Sequence, residues 1–214
     1  PSSSHTAGAA RIGKITRRLL GCRPVRARIG LYGSFQKTYL GHGTDKALVG
    51  GLLGMNVDDL RLRNSLEIAR QEGLEYSFYP AELRHAHPNT VVLEVEGEDG
   101  RQLTVQASSV GGGEIRVNAI DGLEAGFSGH ENTIVLTYAD TRGMIAAISK
   151  QVSEAHLNIA TMRVFRDTQG GKAIMALELD GEAPEELLRA LSHLRDVYRV
   201  AYLPAAEEST SCEP

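Results

Sequence analysis

The sequence predicts an α/β (α+β) protein in two parts: a mixed α/β domain over 1–127 and a βαββαβ domain over 132–203. Three observations carry that expectation. Apolar alternation of period two and amphipathic helical segments interleave along the first part. From Asn132 the order tightens to strand, helix, strand, strand, helix, strand. The polar stretch SGHEN lies between the two parts and reads as a linker. A chain of 214 residues with 42% apolar residues can bury such a core without disulfides. A formal net charge of -4 gives no electrostatic basis for binding nucleic acid or an anionic membrane. No apolar run approaches the roughly 20 residues of a membrane helix. Cys22 and Cys212 are too far apart for a ligand motif, and a reducing cytoplasm is the expected compartment. The sequence starts at Pro1 rather than methionine, so a preceding segment is expected.

Taken in order, Ile12, Ile15 and Leu19 mark one face of a first helix that Gly21 stops. VRARIGLYG alternates as a strand. GSFQKTYLGHG is too rich in glycine and polar residues for a regular element, and TDKALVGGLLG is a helix capped by Thr44 or Asp45. DDLRLRNSLEIARQEG is a third helix ending at Gly73. LEYSFYP is a short strand, AELRHAHPNT a loop, and VVLEVEGEDGRQLTVQASS a hairpin turning at EDG. SVGGGEIRVNAIDG supplies a glycine loop and one more strand. In the second part, NTIVLTYA, NIATMRVFRD, KAIMALELD and VYRVAYL are strands. Its helices present Ile145, Ile148 and Val152, then Leu187, Leu191 and Leu194. This is the ferredoxin-like pattern. The polar residues 204–214, with Cys212, are expected to be a disordered tail.

Two stretches invite chemistry. PSSSHT places hydroxyls and His5 where a helix begins, which is either a cap or a place for a carboxylate or phosphate. GHGTD sets His42 between glycines just before another helix, where an imidazole can carry protons at neutral pH. Asp45 is a helix cap, or it orients His42 through the second ring nitrogen. His85 and His87 have a spacing that suits metal but no clear third ligand, so they read as loop residues and no metal site is expected. SVGGG lacks the lysine and spacing of a phosphate loop and reads as a tight turn.

The βαββαβ unit with Asp140-Thr141-Arg142-Gly143-Met144 after its first strand and Asn158-Ile159 after its first helix resembles an ACT domain. The resemblance implies ACT–ACT pairing and an amino-acid effector, held by Asp140, Arg142, Gly143 and Asn158. PSSSHTAG, YGSFQKTYLGHGTDKA, HPNT and SVGGG, in that order, resemble the β subunit of the two-chain iron–sulfur L-serine dehydratase. That family implies an N-terminal domain related to the allosteric substrate-binding domain of some 3-phosphoglycerate dehydrogenases. It also implies a partner α subunit in a hetero-oligomer and conversion of L-serine to pyruvate and ammonia. A 4Fe–4S cluster would be ligated mainly by the α subunit, because two distant cysteines cannot supply three thiolates. His5 and His42 would then be catalytic, and Ser2, Ser3, Ser4, Thr6, Thr44 and Asp45 would bind substrate. The competing reading is a purely regulatory amino-acid-binding module, which needs carboxylate donors but no proton carrier.

Overall fold

The computed structural model describes residues 4–205. Pro1, Ser2, Ser3 and the expected tail from residue 206, including Cys212, lie outside the described residues. The chain opens with a π-helical turn, Ser4–Gly8, that runs into α1 (Ala9–Leu20). Gly21, at φ 78°, ends α1 by donating its N–H to the Arg17 carbonyl, the left-handed stop the sequence predicted. β1 (Pro24–Leu31), α2 (Ser34–His42), α3 (Thr44–Leu52), a 3-10 turn (Leu60–Asn64), α4 (Ser65–Gln71) and β2 (Glu75–Pro80) follow. Then come β3 (Thr90–Gly97), β4 (Gln102–Gly111), β5 (Glu114–Ile120) and β6 (Leu123–Phe127).

Several expectations change here. GSFQKTYLGHG is a helix, not an irregular loop. Glycines at positive φ bracket α2, Gly33 at 61° and Gly43 at 71°, and Phe35 anchors it with no solvent exposure. Helix α3 has no side-chain cap; Gly43 occupies the cap position, and neither Thr44 nor Asp45 caps it. The third helix is split, a 3-10 turn capped by Asp59 and then α4. β6 was not anticipated at all. It closes a hairpin with β5 through Asp121 and Gly122, both at positive φ, as an Asp-Gly turn requires.

The first sheet has the order β2-β1-β3-β4-β5-β6. β1 and β2 are parallel, joined by the helical crossover, and the remaining pairs are antiparallel. Ala27, Ile29, Leu93, Val95, Val105 and Ala107 point inward to the core that also holds α1 and α3. Arg26, Arg28, Glu94 and Glu96 alternate with them and lie outward.

The second part is β7 (Asn132–Ala139), α5 (Met144–Glu154), β8 (Ile159–Arg166), β9 (Lys172–Leu179), α6 (Glu185–Ser192) and β10 (Val197–Leu203). Its fully antiparallel order, β10-β7-β9-β8, is the ferredoxin-like arrangement expected. The buried face of α5 is Met144, Ile148 and Val152; Ile145 is exposed, so the expected stripe is one residue out of phase at its start. One side of this sheet, Ile134, Leu136, Tyr138, Met175 and Leu177, packs on α5 and α6. The other side, Val135, Ile174, Ala176, Ala201 and Leu203, joins the core of the first part. The two parts therefore share one continuous apolar core rather than sitting on a free linker.

Candidate functional site

The N-terminal π turn is pressed between α2, α3 and β4. This brings His5 to His42 although 37 positions separate them, with ring centroids 5.0 Å apart and planes inclined by 33°. His5 Nε2 lies 3.2 Å from the Ser34 hydroxyl, and its ring meets Phe35 edge-on at 5.4 Å. The Thr6 hydroxyl donates to the His42 carbonyl at 3.4 Å. Burial, and then the nearby His42, push the His5 imidazole below its ordinary pKa. It is therefore held neutral near pH 7 and able to accept a proton.

Beside this pair α3 begins. Its cap position is Gly43, which has no side chain to offer, and the Asp45 carboxyl lies beside the leading N–H groups at the positive end of the helix dipole. Thr44 and Asp45 at that end are 0% and 5% exposed. Thr44 Oγ1 and Asp45 Oδ1 are buried without a hydrogen-bond partner. Burial raises the Asp45 carboxyl above its ordinary value. No Asp45–His42 hydrogen bond forms among the described residues, so Asp45 does not orient that ring here.

The sequence reading missed three members of this cluster. Ser34 opens α2 and binds His5. Ser109 on β4 is fully buried with an unpartnered Oγ, and it lies against Gly8, where a Cβ would meet that Oγ at 2.1 Å. Asn89 has a buried, unpartnered Oδ1. Its carbonyl accepts the Ser109 N–H at 2.9 Å, and the preceding Pro88 carbonyl accepts the Ser34 N–H at 2.7 Å. The advance signal was that Ser34, Asn89 and Ser109 all fall inside quoted motifs, YGSFQKTYLGHGTDKA, HPNT and SVGGG. Of the remaining expected site residues, Ser2 and Ser3 lie outside the described residues, and Ser4 is placed by its backbone alone as the start of the π turn.

The expected effector residues do not converge. Asp140 ends the β7 side of the second sheet, where Ala139 faces Lys172; Asn158 lies at the opposite end, where Asn132 and Ile159 both face Leu179. The Asp140 carboxylate accepts from Arg166 at 2.9 Å and from the Gly170 N–H, which hold its pKa below the usual range. Asn158 donates to Asp180 at 2.6 Å. One chain cannot hold a single small effector with both. Gly143, at φ 86°, and exposed Arg142 stay beside Asp140 at the uncapped start of α5.

Comparison with known proteins decides the family. The probable L-serine dehydratase β chain of Bacillus subtilis is 38% identical over 94% of this chain and 90% of its own length. The chain belongs to the L-serine dehydratase β-chain family. The L-serine dehydratase β chain of Peptoniphilus asaccharolyticus is 36% identical over 89% of this chain and 86% of its own. The family model for the serine dehydratase beta chain matches residues 1–77, the span containing both histidines. The D-3-phosphoglycerate dehydrogenase of Bacillus subtilis is 28% identical over 72% of this chain but only 30% of its own length. Among solved structures, the ACT domain of a Chlorobium tepidum GTP pyrophosphokinase aligns over 37% of this chain at 21% identity with a TM-score of 0.29. The ferredoxin-like topology of the second part stands on its own strand order.

Among the described residues no three His, Cys, Asp or Glu side chains converge as a metal-ligand set. Cys22, the one free cysteine among them, donates to Asp99 at 3.2 Å. These residues do not fit a 4Fe–4S cluster. No helix among the described residues is long and apolar enough to cross a membrane.

Proposed function

We propose that this chain is the β subunit of an L-serine dehydratase and that its N-terminal turn completes the active site of a partner α subunit. The observation that carries the proposal is the His5–His42 pair, 5.0 Å apart, beside the uncapped start of α3. Dehydration of serine needs a proton taken from Cα, a proton delivered to the departing hydroxyl, and a grip on the carboxylate. Neutral His5, oriented by Ser34, accepts or relays a proton. His42 stands within reach as its relay partner. The N–H groups opening α3 and the Thr44 hydroxyl hold the carboxylate. The iron–sulfur cluster belongs to the α subunit in this reading. The C-terminal domain is an ACT-type sensor or pairing unit. Its Asp140–Gly143 turn is the effector-facing end, and Asn158 serves a second copy or the loop. The enzyme works in the cytoplasm.

Co-expression with the α subunit, anaerobic purification and a pyruvate assay test the active-site reading. His5→Ala and His42→Ala should each lower turnover by about 10²–10⁴-fold, the usual worth of a positioned acid–base group. The melting temperature should move little in His42→Ala, whose ring is exposed, and by only a few degrees in His5→Ala, whose ring is half-buried. Near-normal turnover in both variants would refute it.

A further inference from the structure

The outer face of the first sheet divides into two halves of different charge. At the β1–β3 end each arginine has a carboxylate. Arg26 pairs with Glu96 at 2.7 Å, and Arg28 pairs with Glu94 at 3.4 Å. At the β4–β5 end the pattern breaks. There the loop between β2 and β3 and the outward residues of the two strands enclose a cleft of about 380 Å³. Arg84, His85 and His87 line it from the loop, and Ser108, Arg116 and Asn118 from the strands. Among the described residues no Asp or Glu lines it, and neither Arg84 nor Arg116 has a carboxylate within ion-pair distance. None of its lining residues belongs to the cluster around His5.

The floor of the cleft is fixed. The Thr90 hydroxyl donates to the His87 carbonyl at 2.6 Å, so the Ser108 hydroxyl, 2.7 Å away, must donate to Thr90. Asn118 in turn donates to Ser108 at 2.7 Å. This directed chain is buried at Thr90 and Ser108, and it clamps the loop to the strands. Two features prepare the loop for a ligand. His87 Nδ1 accepts the Asn89 N–H at 3.1 Å, which leaves its proton on Nε2 as a donor. His85 sits at φ 54°, a left-handed backbone that a non-glycine residue adopts at a cost.

We infer that this cleft binds a small oxyanion, a carboxylate or phosphate group, gripped by the Arg84 guanidinium with His87 Nε2–H as a further donor, while Arg116, whose Nη2 rests over Gly126, adds positive charge at the β5 wall. Planar guanidinium groups match either anion, and charge-assisted bonds are the strong ones. The site also has a route to the active-site cluster. The same loop continues into Pro88, whose carbonyl holds the Ser34 N–H, and Asn89, whose carbonyl holds the Ser109 N–H. A ligand that tightens the loop steadies Ser34, the partner of His5. That coupling rests on the proposed active site; the binding itself does not.

Calorimetry on the full chain at low salt, with inorganic phosphate and separately with malonate, tests the site. Saturable binding of either anion is expected. Phosphate alone identifies a phosphate ligand, malonate alone a carboxylate, and both a general oxyanion site. The double variant Arg84→Ala/Arg116→Ala should bind at least about tenfold more weakly, as loss of charge-assisted hydrogen bonds requires. Arg28→Ala, on the same face but paired with Glu94, should leave the affinity unchanged. No saturable binding of either anion, or an unchanged affinity in the double variant, overturns the site. Amide exchange at Ser34 should slow with bound anion; binding with no such slowing overturns the coupling and leaves the site standing.

Discussion

Helices α1 and α3 cross backbone against backbone, and this contact sets the position of both histidines. A Cβ at Gly13 would stand 2.3 Å from the Leu48 carbonyl oxygen and 3.0 Å from Gly51 Cα. One at Gly51 would stand 2.2 Å from the Ala10 carbonyl oxygen and 2.9 Å from Gly13 Cα. Each is short of ordinary contact by about 1 Å, and the obstructing atoms are backbone that no rotamer change can move. Gly13→Ala gains roughly 1 kcal/mol of helix propensity. Overpacking a fitted core costs about 1–3 kcal/mol, and parting two helices belongs at the upper end. A net loss of about 2 kcal/mol is expected, lowering the melting temperature by roughly 4–8 °C in a chain of this size. The π turn leads directly into α1, and only Gly43 separates His42 from α3, so the His5–His42 separation should change with the crossing and turnover of the assembled enzyme should fall too. Gly41→Ala is the control, because nothing lies within 4 Å of its Cβ position near the end of α2. It should be neutral or stabilising by up to about 1 kcal/mol. Urea and thermal unfolding of both variants decide the matter. A Gly13→Ala protein that melts at or above the wild type would refute the backbone-contact argument.

Two further expectations concern titration. The raised Asp45 pKa means that its favourable contribution is complete at low pH and is lost as pH rises through the folded value. Asp45→Asn should therefore unfold later than the wild type at pH 7, with the advantage fading below about pH 4, while serine turnover falls; urea midpoints across that range check it. The lowered His5 pKa has the opposite sign: its contribution is present above the ordinary histidine value and is lost as pH falls through the folded one. In His42→Ala the His5 ring, followed by NMR, should titrate closer to its ordinary value yet still below it, since burial is the larger cause. A return all the way would show that the neighbouring charge, not burial, governs His5.

What the sequence revealed, and what it hid, follows from how local each signal is. β1, β3 and β4 were legible because inward and outward residues alternate along most of their length, and β7 and β9 because cover on both faces makes them near-continuous apolar runs between polar turns. The βαββαβ order was legible for the same reason. α2 was not, because it owes its helix to tertiary burial of Phe35 and to two glycines at positive φ, neither of which shows as periodicity. β6 is five residues long, too short to assert itself beside its Asp-Gly turn. His5 and His42 were legible as residues, but Ser34 and Asn89 were not, because their roles depend on a loop 55 residues downstream of Ser34 reaching back to hold it. Asp140 and Asn158 misled because proximity to one helix in sequence placed them at opposite ends of a sheet in space.

The unsatisfied polar atoms argue that the cluster is half of something. Among the described residues five buried side-chain nitrogen or oxygen atoms lack a partner, and four of them, on Thr44, Asp45, Asn89 and Ser109, surround the N-terminal turn. Leaving such an atom unpaired costs about 1–3 kcal/mol. A chain of marginal stability does not carry several at one place unless something repays them. A helix start without a cap and a carboxyl raised by burial add to the cost at the same place. Unpaired oxygens of Asp45 and Asn89 stand beside these donors, as an amino-acid sensor and the proposed active site would both need; the His5–His42 pair is what favours the second. A zwitterionic amino acid brings both an ammonium to donate and a carboxylate to accept, and a facing protein surface would seal them from water. The concentration of cost beside the His5–His42 pair is what the proposed active site, completed by a second chain, would offset.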